Sequence, residues 1–157
     1  MMFRKMRRSE KATDIAKAEE LLRNRDFGIL SVCGDDGYPY GVPVNYVYDE
    51  GKIYFHSTSS ESHKIEAIRK NEKVSFTIVT EHELIPEKLD TMYTSVIVFG
   101  RARVINSKEE TKEALRLLLA GLSPSLVCNT EKIYKSSEEK FIMVEISVEH
   151  ISGKIGR

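Results

Sequence analysis

Between Ala12 and about Asn24 the apolar residues Ile15, Ala18, Leu21 and Leu22 recur at helical spacing, and Asp14 stands where a carboxylate favours a helix start. This pattern predicts an amphipathic helix. The period then shortens. Phe27 to Cys33 (FGILSVC) is a short apolar run ending at Gly34-Asp35-Asp36-Gly37, whose Asp and Gly residues suit a tight turn. From Tyr40 to Asp49, Val42, Val44, Tyr46 and Tyr48 alternate strictly with their neighbours, and Asp49-Glu50-Gly51 turns the chain into Lys52 to Ser57. These three runs predict consecutive strands of an antiparallel meander. Pro39 and Pro43 cannot donate to a sheet ladder, so the second strand belongs at an edge or is bulged, with backbone groups left open to a ligand.

Further on, Ser59 or Ser60 could cap a short helix containing Ile65, Ala67 and Ile68, and Lys73 to Thr80 (KVSFTIVT) reads as a fourth strand. Glu81 to Thr91, with Pro86, reads as a polar loop. Tyr93 to Ile105 is too long for one flat strand, and Gly100 marks its expected bend or bulge. Ser107 is the expected N-cap of a helix to Ala120, with Glu109 and Glu110 in its first turn and Gly121 and Pro124 ending it. A weaker helical stretch lies around Thr130 to Lys135, and Phe141 to Val148 alternates as a last strand. With most strands joined by tight turns, the fold class is mainly β with added α: an antiparallel barrel or sandwich carrying helices, and not a doubly wound parallel sheet.

Composition narrows the function classes. Lys+Arg and Asp+Glu both number 24, so the balanced charge gives no general attraction to nucleic acid or an anionic membrane. The exception is the basic arm at residues 1–11, where Arg4, Lys5, Arg7, Arg8 and Lys11 crowd together. It reads as a solvated or partner-contacting arm. No apolar run approaches the roughly 18 residues of a membrane helix, and the N-terminus lacks the apolar core of a signal peptide, so a cytoplasmic protein is expected. Cys33 and Cys128 fit no zinc pattern and are expected as free thiols. With no repeat or linker-like segment, one domain over residues 1–157 is expected.

Candidate chemistry concentrates between Tyr40 and Lys64. His56 ends the third predicted strand, and Ser57, Thr58, Ser59 and Ser60 lead to His63 and Lys64 in the first turn of a helix. Hydroxyls, unpaired amides at a helix N-terminus and a nearby cation make an anion site. An ordinary Ser-capped helix with solvated basic residues would look the same in sequence. The neighbouring VPVNY segment, Val42 to Tyr46, supplies apolar side chains and a proline-interrupted backbone against which a flat ring could lie, or it is simply a barrel edge. The four histidines are too scattered for a metal site, and the chain has no GxSxG, P-loop or GxGxxG.

DGYPYGVPVNYVYDEGKIYFHS, the downstream SHKIEAIRKNEKVSF, YTSVIVFGRARVI and the final VEHISGK together carry a resemblance over about Arg7 to Lys154. The chain resembles the pyridoxamine 5′-phosphate oxidase-like, FMN-binding split-barrel superfamily, and within it the nitroimidazole-resistance-type branch. The resemblance implies a six-stranded Greek-key split barrel that forms a homodimer, with FMN in a groove at each end of the interface. It implies that His56, Ser57, Thr58, His63 and Lys64 hold the flavin phosphate, that the ring lies against Val44, Asn45 and Tyr46, and that Ser95 approaches the ring. Where the family often has a glycine before the basic residue, this chain has Ser62-His63. The implied activity is electron transfer from NAD(P)H through FMN to a small acceptor, as in nitroimidazole reductases. A non-catalytic flavin or haem binder is the alternative. No catalytic side chain is assigned, although His56 is the one candidate proton donor near the site.

Overall fold

The computed structural model describes residues 2–137 and 141–157; Met1 of the basic arm lies outside them. Seven antiparallel strands are present: β1 (Phe27–Cys33), β2 (Pro39–Asn45), β3 (Val47–Asp49), β4 (Lys52–Ser57), β5 (Lys73–Ile85), β6 (Asp90–Val104) and β7 (Ile142–Gly156). Helices α1 (Ile15–Arg23), α2 (His63–Lys70), α3 (Lys108–Leu122) and α4 (Thr130–Ser136) flank them. The sheet order is β2-β1-β5-β6-β7-β4-β3. The two ends of this order, β2 and β3, are one continuous run of chain interrupted only at Tyr46, so the sheet curls until its edges meet there. Counted as one bent strand, β2 and β3 make this the six-stranded split barrel.

The predicted meander is corrected at this bend. The second run pairs with β1 over Phe27↔Asn45 to Cys33↔Pro39 and with β4 only over Val47↔Tyr54 to Asp49↔Lys52. Had the β3–β4 ladder continued, Asn45 would face His56. It stops because Tyr46 gives its N–H to Asp26 O, at 3.0 Å, and Pro43 has none to give. The edge of β2 and the edge of β4 beyond Tyr54 are therefore left apart, and this is the split of the barrel.

Other boundaries also move. Glu81 to Thr91 is not a loop: β5 runs to Ile85 and pairs with β6 down to Ile85↔Asp90. Backbone pairing overrides the polar side chains, which project from both faces of this hairpin into water. The last strand likewise continues to Gly156, paired with β6 from Val144 to its end. Gly100 does mark an irregularity, since the β6–β7 register shifts between Phe99 and Gly100. A Cβ at Gly100 would run into the Ser147 carbonyl, which is why no larger residue fits. α3 passes through Gly121 to Leu122. The GDDG turn is present, with Asp36 and Gly37 at φ 55° and 79°.

Two cores fill the fold. Inward residues of the barrel, among them Leu30, Tyr46, Phe55, Phe76, Ile78, Val96 and Ile146, pack with Leu22 of α1 and with Ile65 and Ile68 of α2. Outside the barrel, Tyr54, Ile105 and Met143 on the sheet pack against Ala114, Leu115 and Leu118 of α3 and Tyr134 of α4. Cys33 and Cys128 are free and exposed. Among the described residues no helix is long and apolar enough to cross a membrane.

Candidate functional site

α2 lies across one end of the barrel, and the chain reaches it from β4 through Thr58 to Ser62. Ser57 ends β4 facing inward, 4% exposed, and its hydroxyl donates to Ser59 O at 3.0 Å and lies 3.3 Å from Ser62 Oγ. Arg69 of α2 holds the far side of the loop by donating to Ser60 O at 3.2 Å. The cap residue proves to be Ser62 and neither Ser59 nor Ser60, because the loop carries the chain further before α2 starts, and its side chain makes no capping hydrogen bond. The first-turn amides of α2 thus have neither an intrahelical partner nor a cap.

The charges around that helix start are also unusual. His63 and Lys64 occupy the first two positions of α2, where the positive end of the helix dipole disfavours cations. Lys64 is close enough to His56 to help hold its imidazole below the ordinary histidine value, burial being the larger cause. One face of the His56 ring leans on Phe141, 5.4 Å between centroids. The His63 ring stacks on Tyr40 of β2 at 4.2 Å, and its Nε2 is buried with no hydrogen-bond partner, the nearest carboxylate being Asp35 at 3.8 Å. The stack ties the start of α2 to β2 across the split.

On β2 the predicted ring wall divides between two faces. Val44 points inward and packs on the barrel core, whereas the Asn45 side chain projects outward and donates to Asp26 O at 3.2 Å. Tyr46 is fully buried, its hydroxyl donating to Leu22 O at 2.5 Å and its ring edge-on to Phe76, and burial pushes its ionisation up. The Tyr46 side chain therefore belongs to the core and leaves only backbone for a ligand. Alternation could have given this: Val42, Val44 and Tyr46 share one face, and the bend puts all three inside.

Ser95 is elsewhere in the chain's fold. It pairs with Lys154, whereas His56 pairs with Met143, and from Met143 to Lys154 is about 35 Å of strand. It does share a level of the outer sheet face with Asn45, since Asn45↔Phe27, Val79↔Ser95 and the β1–β5 register put Phe27 level with Val79. That face is apolar and partly open: Phe27, Ile29, Val79, Ile97 and Phe99 are each 39–49% exposed, with Phe3 of the basic arm stacked on Phe99. The structure thus brings His56, Ser57, Thr58, His63 and Lys64 together beside the open edges of β2 and β4, and leaves Ser95 on a separate surface.

Among the described residues no cluster of His, Cys, Asp and Glu could hold a metal ion. The donor set at the split, comprising hydroxyls, open amides and the Lys64 cation, suits a phosphate, with Glu66 the acidic residue of the same helix turn.

Comparison with known proteins agrees with this architecture. Residues 14–155 match the family model described as pyridoxamine 5′-phosphate oxidase, and the chain belongs to that family. A flavocytochrome, Anf3 of Azotobacter vinelandii, superposes with a TM-score of 0.83 at 20% identity, over 98% of this chain and 72% of that one. A protein named for 5-nitroimidazole antibiotic resistance, from Bacteroides thetaiotaomicron, gives 0.74 at 21% identity, over 92% of this chain and 86% of its own. An FAD-binding protein of Mesorhizobium loti gives 0.70 at 23% identity, over 94% and 98%. At such identities these likenesses establish the shared fold. No curated protein sequence matches the chain.

Proposed function

We propose that this chain is an FMN-binding flavoprotein that works as a homodimer and passes electrons from a reduced nicotinamide to a small acceptor. The observation that carries the reading is the start of α2, an uncapped helix N-terminus with Lys64 placed where a cation is unfavourable until an anion arrives, and the His63 ring beside it. The flavin phosphate fits there, held by the first-turn amides, Ser57, Thr58 and Lys64, with His56 beside it. Family membership and the flavin named in several structural neighbours support the choice of ring. FMN is favoured over FAD because the anion end is a single compact site.

The flavin, when bound, supplies the two-electron chemistry. The chain's part is to fix the phosphate, to offer the open β2 edge at Val44 and Asn45 to the ring, and to keep the His56 imidazole neutral near pH 7. The outer face supports homodimerisation, because Phe27, Ile29, Val79 and Ile97 are exposed apolar residues of the kind that marks a protein interface. A second copy seated there would also supply the Ser95 surface that one protomer keeps away from its own anion site.

The test is the visible spectrum of the purified protein before and after incubation with FMN, followed by gel filtration to remove free flavin. Retained flavin absorbance with two chains per particle by sedimentation is the expected result, and FMN-dependent NADH oxidation by a nitroaromatic is the expected activity. A colourless protein that retains no FMN overturns the cofactor, and a monomeric flavoprotein overturns the assembly.

A further inference from the structure

Where α1 ends, the bend between β2 and β3 meets the last turn of α3. Arg23, Arg25, Tyr46, Tyr48, Asp49 and Gly121 line a cavity of about 260 Å³ between the three. α3 comes this close because Gly121 has no side chain: a Cβ on it would run into Val47 Cγ1. The Arg23 guanidinium lies over the Tyr48 ring and that of Arg25 over the Phe27 ring, each at 5.6 Å. Among the described residues neither arginine has a carboxylate partner, and Arg25 Nε is buried with no hydrogen-bond partner.

A buried donor on a charged group is costly to leave unpaired. Elsewhere on the sheet arginines are bonded to carboxylates, as Arg101 is to Glu72 and Glu149 and Arg103 to Glu110 and Glu145. The negative end of the α1 dipole favours Arg23 at this place but gives Arg25 nothing to bond. Backbone acceptors of the joint are taken: Leu22 O accepts from the Tyr46 hydroxyl, and Asp26 O accepts from both Tyr46 N and Asn45 Nδ2. Asp49, the one carboxylate among the lining residues, lies within electrostatic reach of Arg116 of α3, which offsets its charge. Two guanidiniums lining one cavity suit an oxyanion, to which each can give charge-assisted hydrogen bonds. The volume is below the usual range for an organic ligand, so the occupant is a group of about phosphate size.

We propose that this cavity binds a phosphate group, with Arg25 donating from Nε to one of its oxygens and Arg23 supplying a second, more exposed contact. It is an anion site separate from the start of α2, with which it shares no residue, and it needs no flavin. An occupant would tie the end of α1, the β2–β3 bend and the end of α3 together, so binding should also raise the melting temperature.

Binding of inorganic phosphate to the full flavin-free chain should be measured by titration calorimetry at constant ionic strength, in the Lys64→Glu variant so that the start of α2 does not contribute. One saturable phosphate site is expected. On that background Arg25→Gln should weaken it at least tenfold, the worth of one charged hydrogen bond, and Arg25→Lys nearly as much, because lysine keeps the charge and loses the Nε–H. Arg23→Gln, at an exposed position, should weaken it about threefold. Adenosine 2′-phosphate and adenosine identify the source of the phosphate: tighter binding of the nucleotide than of inorganic phosphate assigns the site to the phosphate end of a larger molecule, and equal or weaker binding assigns it to the free ion. No phosphate site in Lys64→Glu, binding that survives either Arg25 substitution, or adenosine bound as tightly as its phosphate overturns the proposal. The urea midpoint shows whether each variant folds; if both Arg25 variants fail to fold, unchanged binding in Arg23→Gln overturns it instead.

Discussion

Two helices of this protein begin at a serine that follows a strand, and they begin differently. At α3, Ser107 Oγ accepts from Glu110 N at 3.0 Å, and Glu109 and Glu110 place negative charge at the positive end of the dipole. Arg103 then donates to Glu110 at 2.6 Å and to the buried Glu145 at 3.1 Å, with Lys52 and Tyr54 completing the surroundings of that carboxylate. At α2, Ser62 caps nothing and Lys64 adds positive charge beside the His63 imidazole. The first helix start is electrostatically complete without help. The second has only Glu66 as an acidic residue in its first turn and no side-chain cap, and under the proposed function a bound phosphate completes it.

Breaking the complete end should have the largest effect. Arg103→Ala leaves Glu145, which is 5% exposed, short of its main partner and should cost about 3 kcal/mol in urea unfolding. This is the lower end for a buried pair, since Arg103 is half exposed and Lys52 remains. Flavin retention by the folded fraction should be unchanged. At the incomplete end the effects reverse: Lys64→Glu should lower FMN affinity about a hundredfold, roughly 2.7 kcal/mol, and leave the urea midpoint of the flavin-free protein close to that of the parent.

The two serines make the comparison sharper. Ser107→Ala removes a working cap and should cost about 1 kcal/mol, whereas Ser62→Ala should cost no more than a few tenths, because no cap is lost. Equal costs would mean that Ser62 caps α2 in solution and that the helix start is closed.

The smallest effect is on pH. The folded state holds the His56 value below its ordinary 6.5, through burial and then Lys64. Its contribution to stability is therefore full above about pH 6.5 and is lost as pH falls through the folded value. The fall in melting temperature between pH 7 and 5 should be shallower in His56→Asn. FMN affinity should rise over the same interval, as the imidazolium joins Lys64, and that rise should vanish in the same variant.

Much of this site was legible as residue types in order. Strand, hydroxyl loop and basic helix start are local, and Ser57, Thr58, His63 and Lys64 fall where chain order puts them. Ring-wall residues were half legible: alternation puts Val42, Val44 and Tyr46 on one face, but that this face is the inner one depends on the bend at Tyr46, whose N–H bonds Asp26 O. Ser95 was legible as a strand residue but not as a distant one, since the β6–β7 register sets its separation from His56.

By itself the sequence determined the elements, the turn positions and the cation-rich start of α2, because helix periodicity, strand alternation and turn chemistry act over a few residues. The tertiary structure alone decided that β2 and β3 close the barrel through one bent strand, that the Glu81 to Thr91 segment is a hairpin, that Ser62 leaves its helix uncapped, and that the basic arm folds back onto β6 and β7. Each of these depends on partners far away in the chain, and which backbone and side-chain groups meet is fixed by register and packing, not by any local preference.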